Sequence, residues 1–302
     1  MTKETEKAWV ENWYEISELP NEVTAIGEPK HQEEVFCYLI KGKDKDLLVD
    51  TGMGVIPITQ ALEKLRNSSK ELIVVNTHWH FDHVGGNGNF EKILVPQNMD
   101  EIKGLLRGWS HENLQRYGFF DGFHKDGDST LPPNFDTANF FIPGSKNIEP
   151  VLEDRYVIDL GERIVKVIET PGHTPGGISL FDKTNGLLFT SDLLYEGPLY
   201  AFEKESDPEK YLRSLKKIRA TLKGQIKTIH PGHNYNENIY EPNLLSDAIK
   251  LFEMAKEKKV PDDVSSDFPN VVEYRYPGIF RKTGCSRRLK ILVNKKYIEQ
   301  AG

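Results

Sequence analysis

The sequence lacks several features that would assign it to a specialised class of protein. Its 302 residues include only two cysteines, Cys37 and Cys285, too few for a disulfide framework. No run of about 18 uncharged apolar residues occurs, and the charged first residues lead into no apolar segment, so we predict a cytoplasmic protein with no membrane partner. The formal net charge of −7 argues against a nucleic-acid partner, because such binding needs positive charge facing phosphates. A small-molecule substrate is expected instead.

Apolar runs alternate with helical segments along the chain, and this pattern predicts an α/β protein. A hydrophobic content of 38% over this length is enough for a substantial core, and we predict a single domain over residues 1–302. Helices are predicted at 57–66, 208–223 and 244–259, the second with Asp207 as N-cap, Pro208 at its first position and Gly224 at its end. Strands are predicted at 34–41, 46–50, 72–75, 156–160, 163–169, 177–181, 186–191 and 226–229.

Two segments stand outside this alternation. Residues 104–150 are rich in turn residues and aromatics and are predicted to form an insertion or lid, whose rings either make their own small core or line an apolar wall for a substrate. A C-terminal extension is predicted at 261–302, with a basic cluster that is either a solvated surface or a site for phosphate groups such as those of coenzyme A. The rings are Trp109, Tyr117, Phe119, Phe120, Phe123, Phe135, Phe140 and Phe141, and the basic cluster is Arg281, Lys282, Arg287, Arg288 and Lys290.

Three histidines and an aspartate fall within six residues, directly after the predicted strand 72–75. In an extended segment His78 and His80 face the same side, and the turn that follows can bring Asp82 and His83 to a neighbouring point. Imidazole and carboxylate together suit zinc, although iron, manganese and cobalt bind similar sets. The glycines at 85, 86 and 88 suit backbone that packs closely around such a site.

Two later loops resemble one another, because each places a histidine after a strand and a Pro-Gly turn. His173 stands in the loop 170–177, and His233 stands in the loop 230–234. Either histidine alone would be read as structural, but in combination with the first motif both indicate metal ligands.

The ordered series of His-x-His-x-Asp-His, Gly-His, Ser-Asp and a second Gly-His resembles the metallo-β-lactamase superfamily over about residues 30–240. The resemblance implies a four-layer αβ/βα sandwich and a site for two zinc ions, with iron or manganese as alternatives. It implies that Asp50 orients the metal loop, with a strand-ending turn residue as the simpler interpretation. It also implies a ligand set in which His78, His80 and His173 hold one metal, Asp82, His83 and His233 hold the second, and Asp192 bridges them.

The same resemblance implies a hydrolase that uses a metal-activated water. Asp82 would be a ligand that also orients this water or accepts its proton. Tyr195 stands three residues after Asp192, as in the superfamily's acyl-homoserine lactonases and some of its acyl-thioester hydrolases, and its phenol would donate to the developing oxyanion. A merely packed tyrosine is the alternative. The expected substrate is a carboxyl ester, thioester or lactone.

Other activities of the superfamily remain as alternatives. A glyoxalase II-like glutathione thioesterase would use the same seven ligands. A β-lactamase is less favoured, because those enzymes lack the bridging aspartate and one major group needs a cysteine ligand. A phosphodiesterase is also less favoured, since the basic segments of the nucleic-acid-processing branches are missing. Outside enzymes, a metal-stabilised binding protein would keep the ligands without turnover. The sequence does not indicate an oligomeric state.

Overall fold

A computed structural model describes residues 12–67, 69–125, 128–233, 239–257, 263–264, 270–275 and 289–295. The chain divides into two compact units, the first Met1–Leu152 with Val157–Val165 and the second Glu153–Tyr156 with Lys166–Gly302. Whether the two units act as the single predicted domain stays a prediction. Cys285 and four residues of the basic cluster (Arg281, Lys282, Arg287 and Arg288) lie outside the described residues.

The first unit is built on a seven-stranded sheet in the order β1-β2-β3-β4-β5-β6-β9. Strands β1 to β4 pair antiparallel, and β4, β5, β6 and β9 pair parallel. Its strands are β1 (Glu15–Leu19), β2 (Val23–Gly27), β3 (Phe36–Lys41), β4 (Lys45–Val49), β5 (Glu71–Val75), β6 (Ile93–Pro96), β7 (His124–Lys125), β8 (Asp128–Ser129), β9 (Ile148–Leu152) and β10 (Val157–Asp159). Its helices are α1 (Thr59–Leu65), α2 (Phe81–Val84), α3 (Met99–Arg107) and α4 (His111–Arg116).

The parallel part of this sheet positions the histidine motif. Val49 is the register partner of Val75, so the residues after β4 and β5, Asp50 and Asn76, emerge at the same edge. The carboxyl ends of parallel strands are where α/β proteins usually carry their functional groups. The strands predicted at 34–41, 46–50 and 72–75 correspond to β3, β4 and β5, whereas the short strands β1, β2, β6 and β9 were not predicted.

The aromatic rings of the predicted insertion belong to the main core of the first unit. Trp109, Phe119 and Phe123 are buried in one cluster with Ile93 and Val95 of β6, and Phe120, Phe135 and Phe140 pack against that cluster. The interpretation as a separate small core is therefore wrong, because the chain after β6 folds back onto the sheet. Only Tyr117 and Phe141, among the eight rings, are exposed.

The second unit contains two sheets. The strands that this unit gives to one sheet have the order β11-β12-β13-β15, with β12 and β13 antiparallel and β13 and β15 parallel, and the other sheet has the order β14-β18-β17-β16. The described part of the predicted C-terminal extension thus supplies three strands of a sheet. The strands are β11 (Ile164–Glu169), β12 (Ile178–Asp182), β13 (Leu187–Ser191), β14 (Pro198–Ala201), β15 (Thr228–Pro231), β16 (Asp263–Val264), β17 (Val271–Arg275) and β18 (Lys290–Asn294).

Two helices complete the second unit, α5 (Pro208–Thr221) and α6 (Asn243–Lys256). The start of α5 is as predicted, since the Asp207 side chain accepts a hydrogen bond from Lys210 N at 3.0 Å and Pro208 occupies the first position. The rings of Tyr211 and Phe252 stack at 4.7 Å between the two helices, in a second core that is made only of residues of this unit. Among the described residues, no helix has the length and apolar composition needed to cross a bilayer.

Candidate metal centre

The four predicted ligands of the first unit lie together between β5 and the end of α2. His80 has extended backbone at φ −66° and ψ 153° and caps α2, so Asp82 and His83 fall in that short helix. The rings of His78 and His80 are 4.7 Å apart, those of His78 and His83 are 4.2 Å apart, and His83 Nε2 lies 3.5 Å from Asp82 Oδ2. All four side chains are at most 9% exposed, so water competes little for them.

Asp50 lies behind these ligands and is 2% exposed. Its Oδ1 accepts a hydrogen bond from Thr77 N at 2.7 Å, and its Oδ2 accepts from Thr77 Oγ1 at 2.7 Å and lies 2.8 Å from His83 Nδ1. Because a carboxylate only accepts, His83 carries its proton on Nδ1 and turns the Nε2 lone pair away from Asp50. Asp50 therefore contacts the predicted metal motif directly, and its role in orienting the metal loop stays a prediction.

The hydrogen bonds of Thr77 extend this effect to His78. The Thr77 hydroxyl donates its hydrogen bond to Asp50. Thr77 Oγ1 can therefore only accept a hydrogen bond from His78 Nδ1, which lies 3.1 Å away. His78 therefore also has Nδ1 protonated and Nε2 available as a donor of electrons to a cation. One carboxylate fixes the tautomers of two predicted ligands.

Close backbone packing surrounds this loop at two of the three predicted glycines. A Cβ atom on Gly85 would lie 2.2 Å from Met53 C, and one on Gly86 would lie 2.4 Å from Thr51 O. The prediction is wrong for Gly88, where an added Cβ atom would meet nothing within 4 Å. Thr51 N donates to His83 O at 2.9 Å and so ties that turn to α2.

The three predicted ligands of the second unit also lie together, each just after a strand. Asp192 Oδ2 is 3.2 Å from His173 Nε2 and 3.0 Å from His233 Nε2. Asp192 and His233 follow the parallel strands β13 and β15, whose register brings Ser191 beside Pro231. Gly232 must be a glycine here, because a Cβ would lie 2.8 Å from Ser191 C.

The donor chemistry of this group fits a cation. His173 Nδ1 lies 3.0 Å from Tyr200 O, a carbonyl that only accepts, so Nδ1 is protonated and the Nε2 of a neutral ring presents a lone pair. That lone pair faces the Asp192 carboxylate oxygen. The two electron-rich atoms, His173 Nε2 and Asp192 Oδ2, repel each other unless a proton or a metal ion lies close to both. Neutral imidazole and carboxylate are ligands that zinc prefers.

Tyr195 lies within the second unit beside His233, with ring centroids 5.2 Å apart, and is 6% exposed. Its hydroxyl donates to Pro198 O at 2.6 Å. Donation to a substrate oxyanion would require exchange of that bond, and the role predicted for Tyr195 stays a prediction.

Three further residues contact the loops of the two ligand groups but carry no motif in the sequence. The Tyr211 hydroxyl donates to Asp192 O at 2.6 Å, and burial raises the pKa of this phenol well above its usual value, so it stays a donor. Glu101 Oε2 accepts from Trp79 N at 3.0 Å. Glu28 accepts from Trp13 Nε1 and from Met53 N, each at 2.9 Å, next to the turn at 51–54.

Two buried groups of the first unit have raised pKa values. Burial is the main cause that raises the pKa of Glu28 to about 7. Burial also raises the pKa of the Cys37 thiol well above its usual value, so this cysteine is a buried thiol rather than a thiolate ligand.

The family described as "Metallo-beta-lactamase superfamily" matches residues 32–233, about two thirds of the chain. The chain belongs to this superfamily. The matched segment includes all seven predicted ligands, Asp50 and Tyr195, and the predicted family is confirmed.

Individual relatives are distant. An "Acyl-coenzyme A thioesterase MBLAC2" from Gallus gallus is 29% identical over 206 residues, which cover 65% of this chain and 71% of the relative. An "N-acyl homoserine lactonase" from Bacillus thuringiensis is 26% identical over 239 residues, covering 67% of this chain and 82% of the relative. A solved "Metallo-beta-lactamase from Pontibacter korlensis" superposes with a TM-score of 0.56 at 15% identity, over 80% of this chain and 99% of that chain. This likeness confirms the predicted α/β metallo-β-lactamase fold.

Proposed function

We propose that this protein is a metal-dependent hydrolase that cleaves acyl thioesters. The observation that carries the proposal is the approach of Asp192 Oδ2 to both His173 Nε2 and His233 Nε2, at 3.2 and 3.0 Å, which is the arrangement expected of a bridging carboxylate. The family match and the thioesterase among the relatives support hydrolysis of a thioester. A lactone is the second candidate, supported by the lactonase among the relatives.

The ligand set of this proposal is the one that the family resemblance implies. The first unit supplies His78, His80, Asp82 and His83, and the second supplies His173, Asp192 and His233. Zinc is the first candidate because neutral imidazole and carboxylate ligands suit it, with iron or manganese next. When bound, two metal ions lower the pKa of a water molecule toward about 7 and polarise the carbonyl under attack.

The chain's own residues then have distinct roles. Asp82 orients the attacking water and accepts its proton, as well as serving as a ligand. Asp50 holds His78 and His83 in the tautomers that present Nε2. Tyr195 exchanges its bond to Pro198 O for the developing oxyanion and stabilises the tetrahedral intermediate.

Other readings of the site predict different results from the same assay. A glyoxalase II-like enzyme would prefer glutathione thioesters to other acyl thioesters. A metal-stabilised binding protein would bind metal without turnover. Cytoplasmic location and the absence of a nucleic-acid partner belong to this proposal as predictions.

The decisive experiment combines elemental analysis with a substrate panel. We expect about two metal ions per chain and chelator-sensitive hydrolysis of acyl thioesters, tested beside glutathione thioesters, simple esters, lactones, a β-lactam and a phosphodiester. Tyr195→Phe should lower kcat on the best substrate by about 10²–10³-fold if its phenol serves the oxyanion. Metal binding without turnover on any of these substrates would contradict the proposal, and full activity of Tyr195→Phe would remove that residue from it.

A further inference from the structure

Glu101 is a fully buried carboxylate next to the metal motif, and the proposed reaction gives it no role. It lies on α3, and its Oε2 accepts a hydrogen bond from Trp79 N at 3.0 Å. Trp79 stands between the predicted ligands His78 and His80. Burial of a carboxylate is costly, so such a group needs hydrogen bonds that compensate for the loss of water.

The other polar backbone group of Trp79 is also engaged by the chain that follows β6. Trp109 Nε1 donates to Trp79 O at 3.1 Å, and the two indole rings stack with centroids 4.9 Å apart and planes 14° apart. The N–H of Trp79 belongs to the peptide plane shared with His78, and its C=O belongs to the plane shared with His80. Each of the two peptide planes next to the predicted ligands is therefore fixed by a hydrogen bond with a buried side chain.

The same face of α3 also fixes the indole ring of Trp79. Gly104 and Arg107 follow Glu101 by three and six residues and so lie on one side of the helix. A Cβ atom on Gly104 would come within 2.5 Å of the Trp79 ring, and the Arg107 guanidinium lies 4.9 Å from the ring centroid. Backbone and side chain of Trp79 are thus held by one surface.

We propose that Glu101 is a positioning residue for the metal site, which acts through the Trp79 peptide to set the relative orientation of His78 and His80. The inference rests on the proposed function, since it takes these histidines as ligands. It assigns the segment after β6 a role that neither a lid nor a substrate wall would give it. The ring centroids of His78 and His80 lie 4.7 Å apart, on either side of the Trp79 peptide groups that are hydrogen-bonded.

The test measures zinc affinity by competition with a chromophoric chelator, and it measures the absorption bands of the cobalt-loaded protein, which report ligand geometry. Glu101→Ala should lower zinc affinity by about 10–100-fold and change the cobalt bands. Glu101→Gln keeps an acceptor for Trp79 N and should stay closer to the wild type than to Glu101→Ala. Leu105→Ala, at a buried apolar position of the same helix, should lower the stability of the protein without changing either metal readout.

Trp109→Phe provides an independent arm in case Glu101→Ala does not fold. It keeps most of the ring but removes the donor to Trp79 O, and it should also weaken zinc binding. Wild-type affinity and cobalt bands in folded Glu101→Ala or Trp109→Phe would overturn the inference, as would an equal loss in Leu105→Ala. A wild-type protein that binds no zinc would instead contradict the proposed function, and this inference with it.

Discussion

At the scale of single residues, the best-defined part of the site is the set of hydrogen bonds around Asp50. Its carboxylate accepts hydrogen bonds from Thr77 N, Thr77 Oγ1 and His83 Nδ1. Through the threonine hydroxyl it also determines that His78 carries its proton on Nδ1. Loss of a residue that orients a metal ligand in this way typically lowers metal affinity by about 10–100-fold. A matched control variant can separate the effect of Asp50 on metal affinity from its effect on folding.

Asp50→Asn should lower zinc affinity by about 10–100-fold. The carboxylate now accepts hydrogen bonds from the Thr77 hydroxyl and the His83 ring N–H, and an amide nitrogen, which only donates, would face one of these donors. Competition with a chromophoric chelator measures this loss. Asp46→Asn is the matched control, since Asp46 is equally buried within β4, the strand that Asp50 follows, but lies 3.5 Å from Arg66 Nε. Equal zinc affinities in the wild type and Asp50→Asn would show that Asp50 is only a turn residue.

Glu28 should make the stability of the metal-free protein depend on pH. Its folded pKa of about 7 lies above the ordinary 4.5, so its contribution is full below about pH 4.5 and is lost as the pH rises through 7. The loss amounts to about 3 kcal/mol. Urea unfolding at pH 5 and pH 8, with chelator present, measures it.

Glu28→Gln should remove this difference between the two pH values, because an amide does not titrate. Glu71→Gln, at an exposed position, should leave the pH dependence of the wild type unchanged. An identical pH slope in Glu28→Gln and the wild type would rule out Glu28 as its source.

At the scale of elements, α3 shows how tertiary contacts override helix propensity. Gly104 lies inside this helix, where alanine would ordinarily be favoured by about 1 kcal/mol. The Trp79 ring occupies the space that a Cβ would need. The glycine is therefore explained by the contact between the helix and the metal motif.

Gly104→Ala should destabilise the protein by about 1–3 kcal/mol, the usual cost of overpacking a core. Chemical denaturation measures the change in the free energy of unfolding. Gly88→Ala serves as control, because a Cβ there meets nothing within 4 Å and we expect little change. A Gly104→Ala protein at least as stable as the wild type would contradict this account.

At the scale of the whole molecule, the predicted ligands are divided between two units that have separate cores. A metal ion held by predicted ligands of the folded chain does not bind the unfolded chain in the same way, and this linkage adds stability. At 100 times the dissociation constant, the gain is about 2.7 kcal/mol for each site.

Zinc should therefore raise the Tm by several degrees, and chelator should reverse the shift. Scanning calorimetry with and without zinc measures it. His78→Ala in the first unit and His233→Ala in the second should each lose most of the shift, whereas Asp46→Asn should keep it. A full zinc-dependent shift in either variant would show that the replaced histidine is not a ligand.

The local pattern of the sequence determined the family, four of the eight described strands of the second unit, the start of α5 and the types of the ligands. Period-two and period-3.6 spacing, cap residues and Pro-Gly turns act over a few residues, so they can be read without the fold. The order of the histidine and aspartate motifs then allowed comparison with a known family. This level of information predicted which residues carry chemistry.

Only the tertiary structure decided what supports those residues. Glu101 meets Trp79 across 22 positions, Asp50 meets Thr77 across 27 and His83 across 33, and no spacing rule predicts such pairs. The aromatic segment packs into the main core, and the space around Gly88 is open. Neither feature follows from local spacing, because each depends on how distant segments pack. The identity of the ligands follows from side-chain chemistry, which can be read directly from the sequence. Their orientation follows from contacts that exist only once distant segments have packed together.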